Sequence, residues 1–230
     1  MAPTLGELAE DAMAYLLPSP MFEPHERDGY VFVAGARTAW VVRVRRLDIP
    51  AVRAEAADRG AERVEWWLGW SSPPRAPDEL LAAGLEPDEV PWLLGMTCTA
   101  EPPRADHVTV RPAALEEVAE LERAVWGPGA DPPTATSAAV HHVAALLNDE
   151  VVGVARALDM ADAVALMGAV VLPEARRQGV YRALVHARWR HAAERGTPTL
   201  VVQAGAMSAP VLDGLGFVRH GELRLFVDRL

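Results

Sequence analysis

Ala169-Val170-Val171-Leu172-Pro173-Glu174-Ala175-Arg176-Arg177-Gln178-Gly179-Val180-Tyr181-Arg182-Ala183-Leu184 is an apolar run that passes through a polar, arginine-bearing turn into a helical pattern. Residues 164–172 predict a strand. From Gly179 to about Arg195 the apolar positions Val180, Leu184 and Ala187, with Tyr181, Val185 and Trp189 beside them, recur at helical spacing. The first amides of a helix have no internal partner, and its dipole presents partial positive charge there. The turn therefore suits an anion such as a pyrophosphate, cradled by the amides of Arg177, Gln178, Gly179, Val180 and Tyr181. Gly179 permits close approach, and Arg176 and Arg177 add charged donors. The plain alternative is a strand-to-helix connection whose arginines are simply solvated.

Upstream, residues 108–111 predict a strand, followed by Pro112 and a helix over 113–125 that carries Glu116, Glu117, Glu120 and Glu122. A proline-rich loop comes next. Two apolar runs, 142–147 and 151–158, joined by Asn148, Asp149 and Glu150, read as a tight hairpin. Downstream, a strand over 200–203, a helix near 208–214 and a strand over 217–227 complete the chain.

The stretch 98–107, with Glu101, Pro102, Pro103 and Arg104, has linker composition and sets an expected boundary after residue 105. In the first half Thr4 and Glu7 form a capping-box pattern for a helix over 4–17. Runs 31–34 and 39–44 predict a hairpin around Gly35 and Arg37; a helix over 51–58, a strand over 64–67, a helix over 78–83 and a strand over 91–97 follow. Ala56-Ala57-Asp58-Arg59-Gly60 is echoed by Ala192-Ala193-Glu194-Arg195-Gly196, each ending a helix before a strand. That echo makes residues 1–105 a candidate degenerate copy of 106–230, with chance coincidence of Ala- and Arg-rich segments as the alternative.

The 230 residues carry 22 basic and 32 acidic side chains, a net charge of −10, and every basic residue is arginine. The halves 1–105 and 106–230 carry −7 and −3, so neither offers the clustered cations that nucleic-acid phosphates require. No window approaches the ~18 apolar residues of a membrane helix, and Glu7, Glu10 and Asp11 stand where a signal peptide is basic, so a cytoplasmic protein is expected. One cysteine and seven scattered histidines leave no zinc-type ligand set, and no metal is expected.

The turn at Arg176, Gly179 and Tyr181 resembles the acyl-CoA loop of the GNAT superfamily of N-acetyltransferases, in which Arg or Gln, two residues, Gly, one residue, then Gly or Ala recur. The resemblance extends over about residues 107–230, including Val108-Thr109-Val110-Arg111-Pro112 and Leu215-Gly216-Phe217; Tyr181 departs from the small residue of the pattern. It implies an α/β (α+β) fold, a mixed splayed sheet flanked by helices, preceded by a smaller GNAT-like domain. Val170, Val171 and Leu172 would offer main-chain groups to acetyl-CoA, with the strand ending at Gln203 as the second wall and Ser208 beside the thioester. The implied reaction is direct attack by a small-molecule primary amine on the acetyl donor in a ternary complex, by a monomer or homodimer.

An alkyl amine has a pKa of roughly 10, so attack requires a base or a water chain. His142 and Glu116 are the candidate bases put first, ahead of His141, Glu120, Asp159 and Asp162. Trp126, His141 and Gln203 are candidate acceptor-side residues. Many members of the superfamily carry a tyrosine acid five residues before the closing Phe, where Leu212 stands here. Its absence leaves the thiolate to be stabilised by backbone amides, or favours an alternative function as a non-catalytic acyl-CoA-binding or interaction module. Cys98 reads as a small buried hydrophobe, and Trp66, Trp67 and Trp70 as core or interface residues.

Overall fold

The computed structural model describes residues 2–127 and 137–230, which fall into two compact units. One comprises Met1–Thr97, Val202–Val211 and Val218–Leu230; the other comprises Cys98–Val201 and Leu212–Phe217. This differs from a division after residue 105, because the chain's closing strand returns to the first unit.

In that unit Thr4 caps α1 (Leu5–Glu10) through the expected capping box: the Glu7 amide donates to Thr4 Oγ1 and the Thr4 amide to the Glu7 carboxylate. The helix does not continue to residue 17. It ends at Asp11, whose buried carboxylate accepts from the Arg43 amide at 2.9 Å and from Arg45 at 3.0 Å, and a 3₁₀ turn over Ala12–Tyr15 follows. Then come β1 (Glu23–Arg27), β2 (Tyr30–Ala34), β3 (Thr38–Val42), α2 (Ile49–Asp58), β4 (Arg63–Leu68), α3 (Ala76–Ala82) and β5 (Glu86–Cys98). With the last strand, β11 (Val218–Arg229), the order is β1-β2-β3-β4-β11-β5. β11 lies antiparallel to both β4 and β5, pairing Phe226 with Trp66. The unforeseen β1 is a charged, proline-bearing edge strand, a position that tolerates such residues. Phe32, Val41, Val52, Val64, Trp66 and Leu80 form the core.

The second unit runs β6 (Thr109–Pro112), α4 (Leu115–Trp126), β7 (Val140–Leu147), β8 (Glu150–Asp159), β9 (Val164–Val171), α5 (Val180–Glu194) and β10 (Leu200–Ala204), whose first two residues belong here; of α6 (Ala209–Asp213), only Leu212 and Asp213 do. Strand order is β10-β9-β8-β7-β6. The β7–β8 hairpin closes as expected, with Leu147 opposite Glu150 and positive φ at both Asn148 (50°) and Asp149 (68°), as a primed two-residue turn requires. Side chains alternate across the strands, so the helices divide the faces. On one face Val118 and Leu121 of α4 pack against Ala144, Val154 and Val170; on the other, Val180, Ala183 and Leu184 of α5 pack against Ala145 and Ala155.

Two irregularities shape β9. Val154 and Arg156 of β8 face Val170 and Met167, so β9 carries one residue more than its partner, a bulge at Gly168. Gly168 has φ +55°, and a Cβ there would fall 3.0 Å from the Arg156 guanidinium carbon. Opposite β8, β9 runs parallel to β10 and is registered with it at Val164–Leu200 and Ala165–Val201. Beyond Ala165 the registered pairing stops, and the mixed sheet is splayed.

Candidate active site

β9 leaves the splay through Leu172 and a 3₁₀ turn over Pro173–Ala175, then enters α5 by way of Arg177 (φ +62°) and Gly179 (φ +77°). Gly179 is the N-cap and supplies no side-chain acceptor. Among the described residues no hydrogen bond of good geometry takes the amides of Gln178, Gly179, Val180 or Tyr181. The positive end of a 15-residue helix is thus presented uncapped. Arg176 and Arg177 are exposed beside it, and Arg176 Nε lies 3.5 Å from the Val171 carbonyl. Gln178 is fixed by its side chain, which donates to the Glu174 carbonyl at 2.9 Å, and by its own carbonyl, 2.8 Å from His107 Nε2. A Cβ at Gly179 would stand 3.1 Å from Ala105 Cβ and 3.3 Å from His107 Cε1, so the segment preceding β6 packs on the loop. The residues present fit a diphosphate: uncapped amides, a dipole and two exposed cations lie together.

Tyr181, the departure from a small residue, is accommodated by its side chain: the phenol interacts with the buried Arg188, and burial pushes its pKa up. Its amide stays in the first turn. Along α5 a cleft of about 240 Å³ is lined by Arg104, Ala105, Val108, Ala183, His186 and Arg190. Glu101 accepts from Arg104 at 3.0 Å and from His186 at 2.9 Å.

Val170 and Val171 pair with Val154 and Gly153 of β8, and the Leu172 amide donates to Val152, so this strand end is held from one side. Along its other edge the pairs registered with β10 are Val164–Leu200 and Ala165–Val201.

On the α4 face a buried polar row crosses three strands. His142 of β7 lies opposite Arg156 of β8, which forms an ion pair with the fully buried Glu122 of α4 and abuts Gly168 of β9. His142 Nε2 has no partner among the described residues, and its pKa is lowered to about 4, first by burial, then by the Arg156 and His141 charges. His142 is therefore neutral at neutral pH, and two strand spacings, about 10 Å, separate it from β9. The sequence reading missed Glu122 and Arg156. Glu122 was legible in the stripe Val118, Leu121, Glu122, Val125, which puts a carboxylate on the apolar face, and Arg156 as the one charge inside the apolar run 151–158.

Glu116 is not part of this row: it lies exposed in the first turn of α4, six residues before Glu122. His141 and His142 do not share a site either. Neighbours on a strand point to opposite faces, and His141 stands on the α5 side, 3.1 Å from Asp159. Trp126 is exposed at the end of α4, ahead of the segment 128–136 that lies outside the described residues. Gln203 donates to the Glu10 carbonyl at 2.8 Å, and Ser208 to that of Gly205 at 3.2 Å, both within the first unit. Leu212 is buried, Cys98 is buried with its thiol donating to Ala100, and Trp66 lies in the core while Trp70 is exposed. No helix of the described residues is long and apolar enough to cross a membrane.

A family model described as the acetyltransferase (GNAT) family matches residues 111–217. Among solved structures, the fold is similar to a GCN5-related N-acetyltransferase from Kribbella flavida, with TM-score 0.69 and 16% identity over 99% of this chain and 96% of that one. A putative GNAT-family acetyltransferase from Novosphingobium aromaticivorans matches with TM-score 0.58 and 16% identity over 99% and 97%. A tandem GNAT protein from the clavulanic acid biosynthesis pathway matches with TM-score 0.52 and 12% identity over 88% and 81%. No curated protein sequence matches the chain.

Proposed function

We propose that the protein moves an acetyl group from acetyl-CoA to the primary amine of a small molecule; the match of residues 111–217 to the acetyltransferase (GNAT) family supports acyl transfer as the class of chemistry. The observation that carries this reading is the uncapped start of α5 placed directly after the end of β9. The amides of residues 178–181, with Arg176 and Arg177, would hold the pyrophosphate. The cleft along α5, lined by Arg104, Asp106, His186 and Arg190, would take the nucleotide end. The end of β9 would take the pantetheine arm, leaving the thioester at the splay. The donor supplies an activated carbonyl and a thiolate leaving group.

The chain's residues then have limited proton work to do. We assign deprotonation of the amine to a water chain that carries the proton to solvent. His142, neutral and with Nε2 unpartnered, acts as a hydrogen-bond acceptor at the far end of that water path, in place of the base expected from the sequence. Leu212 offers no proton, so the thiolate departs as an anion, stabilised by backbone amides. Residues 1–105 are proposed as a degenerate GNAT-like partner to this domain.

Calorimetric titration of acetyl-CoA tests the reading. The wild type binds with one-to-one stoichiometry, and Arg177→Glu, which reverses an exposed charge without altering the backbone strain at 177, binds at least about tenfold more weakly. Thiol release with a panel of primary amines then identifies the acceptor. Binding without thiol release from any amine would favour the non-catalytic module that the buried Leu212 permits. Absence of binding would remove both readings.

A further inference from the structure

The seven histidines are not all scattered in space. We propose that His141, Asp159 and His191 form a binding site for a divalent transition metal of the zinc class. The three come from β7, the end of β8 and the last turns of α5, and all belong to the second unit. His141 Nε2 lies 3.1 Å from Asp159 Oδ2 and His191 Nε2 lies 2.8 Å from Oδ1. All candidate ligand atoms fall within 4.8 Å of one another. Ligands bound at about 2.0–2.2 Å around one tetrahedral ion stand roughly 3.3 Å apart, so a cation enters this group with small side-chain rotations.

Two imidazoles and one carboxylate are the donor set of zinc and its neighbours, not of magnesium or calcium. The electrostatics point the same way. Arg195 Nε, 3.2 Å from Asp159 Oδ2, already supplies one positive charge to this carboxylate. Two further histidines are superfluous for neutralising it, and the rings approach to 3.9 Å between centroids, a poor arrangement for two imidazolium ions. Arg195 also donates to the carbonyls of Met160 at 3.2 Å and Ala163 at 3.4 Å, which fixes it as an outer-layer group orienting the carboxylate. The end of α5 favours a cation through the helix dipole. Twelve residues of α5, about 18 Å, separate His191 from Gly179, so the ion would staple β7, β8 and α5 together away from the anion loop.

The test is zinc chloride titrated calorimetrically into the full chain after chelator treatment, with thermal melts in parallel. The wild type takes up one equivalent and melts higher with zinc. His141→Ala and His191→Gln, made separately, each weaken binding by about 100-fold or more and lose the thermal gain, while His25→Ala in the first unit changes neither. Cobalt(II) provides a folding-independent readout, as an intense visible spectrum of low-symmetry coordination in the wild type that is missing from both variants. Wild-type binding no tighter than that of His141→Ala and His191→Gln, or no zinc-dependent rise in melting temperature, would overturn the proposal.

Discussion

Replacing Glu122 by glutamine keeps the shape of the side chain and removes its charge, leaving Arg156 with an uncompensated guanidinium in the interior. Glu122 is completely buried and Arg156 is 7% exposed, so solvent does little to soften the loss. Breaking a buried pair from one side costs about 3–5 kcal/mol. For a chain of this size each kcal/mol moves the melting temperature by roughly 2–4 °C, so Glu122→Gln is expected to melt about 6–20 °C lower. The double variant Glu122→Leu/Arg156→Met removes both charges and is expected to recover most of that loss, because apolar replacement of a whole buried pair is close to neutral. It also takes away one cause of the depressed His142 pKa, so the imidazole titrates above about 4 when followed by NMR. Thermal and guanidinium unfolding monitored by circular dichroism give the energies. A single variant costing less than about 1 kcal/mol, or a double variant no better than the worse single one, would refute the argument that this charge pair is sealed from water.

Gly179→Ala places a methyl group against Ala105 and His107 at φ +77°, and calorimetry should show weakened acetyl-CoA binding together with about 1–2 kcal/mol of lost stability. Gly168→Ala is expected to cost about 1–3 kcal/mol in denaturant melts, since a Cβ meets an Arg156 guanidinium held by Glu122. Acid stability has two opposing parts. His142, at about 4 when folded against an ordinary 6.5, leaves the unfolded chain binding more protons, so its contribution of about 3 kcal/mol is lost as pH falls from 6.5 to 4. Asp11 is raised from 3.8 to about 6, first by burial and then by Glu10, so the folded form binds the extra proton and gains about 3 kcal/mol as pH falls from 6 to 3.8. Melts across this range should therefore steepen downward with acid in Asp11→Asn and turn upward in His142→Asn; parallel profiles for both would contradict the assignment.

What the sequence disclosed was local. The Thr4–Glu7 capping box, the Asn148-Asp149 turn and the strand-to-helix passage around Gly179 each depend on residues within a few positions of one another, and each forms as read. Hydrophobic periodicity located most helices and strands but passed over β1, whose charges and proline satisfy an edge and not a core. At the candidate site, the uncapped start of α5 was legible because helix-end physics is written in adjacent residues. The buried row was not: Glu122 and Arg156 meet across 34 positions, and a charged residue in an apolar pattern reveals burial without revealing its partner. His141, Asp159 and His191 converge from 18 and 32 positions apart, with no motif spacing to announce them. The placement of His141 and His142 on opposite faces follows from strand alternation alone, and treating both as lining one pocket overlooked it.

The position of β11 between β4 and β5 sets an order of events during synthesis. Trp66 and Phe226 are neighbours across the sheet yet 160 positions apart in the chain, so the first unit to leave the ribosome is the last able to finish folding. Until β11 emerges, β4 and β5 each present an unpaired edge where it will insert, the kind of surface most prone to intermolecular pairing. A nascent chain cut anywhere before β11 holds a sheet lacking an interior strand, and residues 1–105 made alone should accumulate as aggregate. Supplying the missing strand as a peptide spanning residues 218–230 is the rescue that this topology specifies.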